Sequence, residues 1–173
     1  MTDTIARPAA KPSRSLLGGL LLALIVTTWP AADAHGGEPV APKLAPKLQK
    51  LFAQEMAAIL QASQQIVAAL VAGDHAAIAK NAQSIHDSFI LDKNLTAQNR
   101  KHLETAVPPA FLELDGAFHQ MAAKLADAAR HQDMDLQNYY FGRMLDTCAT
   151  CHRQYATDKF PALDGKSPAG HAH

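Results

Sequence analysis

The chain has 173 residues, 16 basic and 16 acidic side chains and only two cysteines. That length suits one domain. Balanced charge with no long basic run argues against a nucleic-acid footprint and against steering by a strong net field. Sparse Val, Ile and Tyr beside abundant Ala and Leu favour helices over strands.

Arg7, Lys11 and Arg14 precede an apolar stretch from Leu16 to Thr28, and Ala32-Asp33-Ala34 supplies a small-x-small cleavage site. Residues 1–34 therefore read as a secretory signal peptide, with the mature chain starting at His35. The apolar run is shorter than the roughly 20 residues that a membrane helix needs. An uncleaved anchor is the weaker reading, no span is expected in the mature chain, and the expected location is the periplasm.

Residues 35–45 hold Gly36, Gly37, Pro39 and Pro42 and read as a flexible arm. Helical periodicity starts at Pro46, a residue suited to a first turn. Leu48, Phe52, Met56, Ile59, Ser63, Ile66 and Leu70 recur at steps of three and four, one face of a long helix that Gly73 ends. Asp74 can cap a second helix with the face Ile78, Ala82, Ile85 and Phe89. Lys93 and Asn94 break the pattern, and Thr96 can cap a shorter piece running to about Ala106. Pro108 and Pro109 close that piece and open a third long helix along Phe111, Leu114, Phe118, Met121, Leu125 and Ala128. After His131-Gln132-Asp133, with Asp133 or Asp135 as cap, a fourth carries Leu136, Tyr140, Met144, Cys148, Cys151 and Tyr155. Residues 161–173 read as a disordered tail. The expected fold is all-α, an antiparallel four-helix bundle over residues 46–160.

Both cysteines lie in Cys148-Ala149-Thr150-Cys151-His152. On a helix, residues three apart point to nearly the same side, and so does the residue four after the first. Two thiols so placed can add to the two vinyl groups along one edge of a porphyrin, and the His152 imidazole can reach the iron. The spacing therefore predicts one covalent haem c, tethered by Cys148 and Cys151 with His152 as proximal axial ligand. Three other readings compete. A redox dithiol expects a βαβ context, and zinc expects further ligands where no second cysteine pair exists. A simple disulfide is possible outside the cytoplasm.

On these residues the chain resembles the class II cytochromes c, the cytochrome c prime family. The resemblance covers about residues 46–160 and rests on the four long helices, the C-terminal haem motif, Tyr155 three residues beyond His152, and Leu70-Val71-Ala72-Gly73-Asp74, which looks like that family's first inter-helix turn. One branch of the family has a methionine on the first helix as sixth, distal iron ligand; the other leaves the iron five-coordinate. Met56 lies 17 residues before Gly73, about where the family's distal residue falls. The resemblance thus implies Met56 as distal axial ligand and a non-enzymatic electron carrier that meets redox partner proteins. A thioether favours ferrous iron and fills the coordination shell. It also implies a homodimer through the outer faces of the first two helices. The chain departs from the family at Ala156, where many five-coordinate members carry a basic residue. A five-coordinate haem protein binding NO or CO is the alternative function. A haem enzyme would need a positioned distal His or Arg, for which His119 and Arg143 are the only candidates. His86 and His119 flank their apolar stripes and read as satisfied or solvated rather than as ligands. Lys47, Lys50 and Arg143 read equally as propionate partners and as a solvated face.

Overall fold

The computed structural model describes residues 38–88 and 95–163. The signal-peptide reading, Phe89, Lys93, Asn94 and the tail beyond residue 163 lie outside the described residues. The described residues are helical, with no strand: α1 Pro46–Ala72, α2 His75–Asp87, α3 Ala97–Ala106, α4 Pro109–Arg130 and α5 Met134–Tyr155.

The helix ends follow from local chemistry. Pro46 and Pro109 occupy first turns, where a missing N–H costs nothing. Gly73 closes α1 at φ 68°, a left-handed conformation in which its N–H reaches the last carbonyls of the helix. Asp74, Thr96 and Asp133 each accept a hydrogen bond from the backbone N–H three residues on, at 2.9, 3.2 and 2.9 Å. Among the described residues Gln132 is the one non-glycine with positive φ, 57°, and it turns the chain from α4 into α5. Asp133 rather than Asp135 is the cap.

Short links make α1–α2 and α4–α5 helical hairpins, and α2 packs on both α1 and α4. The main core draws Ile59, Ile66, Ile78, Ile85, Leu125 and Met144 from these four helices. Small residues share this core: Ala62, Ala69, Ala82, Ala122, Ala126 and Ala129 are all buried. The stripes are therefore rotated from the sequence expectation. Glu55 is buried on α1, while Phe52, Met56, Ser63 and Leu70 are half-buried at its flank.

The segment expected as a flexible arm is docked over residues 38–45. Val40 and Leu44 are buried, with Leu48, Leu103, Val107 and Phe111, in a second core cluster. The Val40 N–H donates to the Tyr155 carbonyl at 3.0 Å, and the Ala45 N–H to His102 Nε2 at 3.0 Å. Two buried aliphatic side chains, worth roughly 1.5–3 kcal/mol each, outweigh the loop-forming glycines and prolines before them. At the other end, Pro161–Leu163 forms a 3₁₀ turn where the tail was expected to be disordered.

Among the described helices, only α1 is long and apolar enough to cross a membrane by length and composition. Its Ile59 and Ile66 lie in the core beside α2 and α4, and the carboxyl of Glu55 is buried midway along it.

Candidate haem-attachment site

Cys148, Cys151 and Tyr155 lie along one side of α5 at one-turn steps, and His152 lies one turn after Cys148, next to Cys151. Both cysteines are free thiols and half-buried. Cys148 packs against the main core, and Cys151 and Tyr155 pack against the second cluster, so the motif straddles the two. Burial pushes the Cys151 thiol up to about 12, with the nearby Asp115 and Cys148 adding to the rise; burial also raises Cys148. A redox dithiol works through a stabilised thiolate. This environment stabilises the neutral thiol instead, which weakens the dithiol reading. Among the described residues no group of three or more His, Cys, Asp or Glu is arranged to hold a metal ion, so zinc lacks its further ligands.

His152 is half-buried, and burial lowers its proton affinity. The imidazole is thereby kept neutral near pH 7, the form that ligates metal. Its ring stacks on Phe160 with centroids 4.0 Å apart and planes 4° apart.

An aromatic series crosses the second cluster. Phe111 meets Tyr155 edge-on at 5.3 Å and Phe52 at 5.9 Å, tying α4 to α5 and α1. Met56 is half-buried against the same core cluster as Cys148, a cluster that also includes Phe118 and Met144. Phe118 and Ile59 are buried there; Phe52 is half-buried. Arg143 is exposed and pairs with Asp146 at 3.1 Å, and Lys47 and Lys50 are exposed.

The sequence reading missed a buried polar cluster. His119 is fully buried; its Nδ1 donates to the Ile85 carbonyl at 2.8 Å. Its Nε2 lies 3.5 Å from Glu55 and 3.8 Å from Asp115. Burial lowers the proton affinity of His119 and pushes the Asp115 carboxyl up to about 6. His86 Nδ1 donates to the His119 carbonyl at 3.0 Å. Both histidines thus have partners, as expected, but His119 is a core residue rather than a flanking one. Glu55 was legible in principle: Leu48, Glu55, Ala62 and Ala69 recur every seven residues and are all buried. A charged residue in that ridge masked the period. Comparison with family models, with curated proteins and with solved structures returns no match.

Proposed function

We propose that this chain is an exported, periplasmic c-type cytochrome with one covalent haem, built as a four-helix bundle of α1, α2, α4 and α5 and acting in electron transfer. The observation that carries the reading is the arrangement on α5: two free, half-buried thiols one turn apart, with a half-buried imidazole next to the second. The packing around them supports it. Cys148 shares a core cluster with Met56, and Cys151 shares one with Phe52, Phe111 and Tyr155. Cofactor sites of helical bundles are built in this way, from side chains on facing helices.

When bound, haem supplies a one-electron couple, and the polypeptide tunes it. Cys148 and Cys151 would hold the group by thioethers, and His152 would ligate the iron through a neutral nitrogen. Met56 would offer the distal thioether, raising the potential and leaving no open coordination position. Phe52, Phe111 and Tyr155 would exclude water from one edge. Partners would be redox proteins. The mature chain would be soluble, with α1 as a bundle helix. Its outer face bears Leu60, Val67 and Val71, exposed at 61, 49 and 87%, a surface suited to a second copy of the chain.

One observation favours the alternative of a five-coordinate protein that binds NO or CO. Glu55, not Met56, takes the most buried position of that turn of α1. Spectra of the holoprotein, produced with haem maturation, separate the two. A haem that stays with the polypeptide after denaturation and a ferric Met–iron band that disappears in Met56→Ala are expected. Rapid stoichiometric CO binding by the reduced parent would give the gas-binding reading instead, and a mass without haem would sink both.

A further inference from the structure

We propose that Phe160 is a positioning residue for His152, holding the plane of the imidazole about its Cβ–Cγ bond and so setting its orientation on the iron. This rests on the haem reading above.

The two rings lie face to face, 4.0 Å between centroids and 4° between planes. Parallel faces this close resist rotation of the imidazole, because turning it out of the shared plane drives a ring edge into Phe160. A ligating imidazole is generally oriented by a partner of its own, most often a hydrogen bond to the second nitrogen. Here a face contact restrains the ring.

Phe160 is itself held by backbone on both sides. The Ala156 carbonyl accepts from the N–H groups of Lys159 and Phe160, each at 3.0 Å, and the Phe160 carbonyl accepts from Leu163 at 3.0 Å. The turn begins on the ligand itself, since the Ala156 N–H donates to the His152 carbonyl at 3.1 Å. Pro161 follows and narrows the backbone range of Phe160. The aromatic ring is thus anchored to the last turn of α5.

The stack is compatible with ligation on general geometric grounds. The nitrogen lone pair lies in the imidazole plane, so an axial imidazole stands upright on a porphyrin. A ring parallel to the imidazole then also stands upright, meets the porphyrin by its edge and stays clear of the coordinating nitrogen. Phe160 is 39% exposed, which leaves the outer side of the stack toward solvent and the inner side on His152.

The test uses the full chain matured with haem, as parent, Phe160→Leu and Phe160→Tyr. Leucine keeps bulk without a flat face; tyrosine keeps the face. Mass reports attachment, and far-ultraviolet circular dichroism reports folding. Frozen-solution electron paramagnetic resonance and the haem-methyl proton shifts report the imidazole plane. We expect haem in all three, a shifted and broadened largest ferric g-value with altered methyl shifts in Phe160→Leu, and parent-like spectra in Phe160→Tyr. Folded, haem-bearing Phe160→Leu with spectra superimposable on the parent would overturn the role of the stack while leaving the haem reading intact. A parent without haem would remove both.

Discussion

Burial decides the protonation of the side chains around Cys151. Asp115 illustrates it: its carboxyl rises from 3.8 to about 6 because burial penalises the charged form. A folded-state value above the unfolded one favours folding at low pH. The contribution is fully present below about pH 4 and is lost as pH rises through about 6. Over that window it amounts to about 3 kcal/mol. Asp115→Asn should flatten the decline in urea stability between pH 4 and 6.5 and should be more stable than the parent at the upper end; equal slopes would refute this assignment. Met56→Ala addresses the neighbouring question of ligation. If the thioether ligates iron, the variant's midpoint potential falls and CO binding to the reduced form becomes fast. An unchanged potential would make Met56 a packing residue.

At the scale of elements, caps and breaks were readable because they are local. Gly73, Asp74, Thr96 and Asp133 each act within four residues of themselves, and each appears where its chemistry predicts. Gly73 has φ 68° and open space where a Cβ would point. Gly73→Ala should therefore cost only the backbone penalty of a left-handed residue, about 1 kcal/mol. The check is a lower urea midpoint with an unchanged m-value; a changed m-value would mean that the α1–α2 turn had rearranged. The rotation of the buried stripes was less legible. Periodicity locates a face to within a residue or so, and Ala at close helix contacts carries too little hydrophobic signal to centre it. Met121 and Leu114, expected on the stripe of α4, are half-buried, while Ala122 and His119 are buried.

For the molecule as a whole, the decisive additions came from distant parts of the chain. The segment over 38–45 looks like a loop by composition, yet it seals the end of the fold that holds Cys151 and Tyr155. Leu44→Ala should cost about 2–3 kcal/mol, read by urea unfolding, as expected for a truncated core leucine. A loss under 0.5 kcal/mol would mean that the segment is not part of the cooperative unit. The exposed Val67 and Val71 on α1 bear on assembly. Val67→Glu with Val71→Glu should shift sedimentation from dimer to monomer if that face joins two copies; a monomeric parent would dispose of the dimer.

The sequence by itself determined the all-helical class, the helix ends and the co-alignment of Cys148, Cys151 and His152, because propensity, capping and the helical repeat operate over a few residues. Only the tertiary structure decided which face of each helix is buried, that Glu55, Asp115 and His119 meet, that Val40 and Leu44 dock beside Cys151, and that Phe160 covers His152. Those outcomes depend on contacts between residues far apart in the chain, or, for Phe160, on the path of a turn that helical periodicity does not describe. The buried carboxyl group of Glu55 lies 3.5 Å from His119 Nε2 on α4, 64 positions along the chain, and helical periodicity carries no information about a contact over that separation.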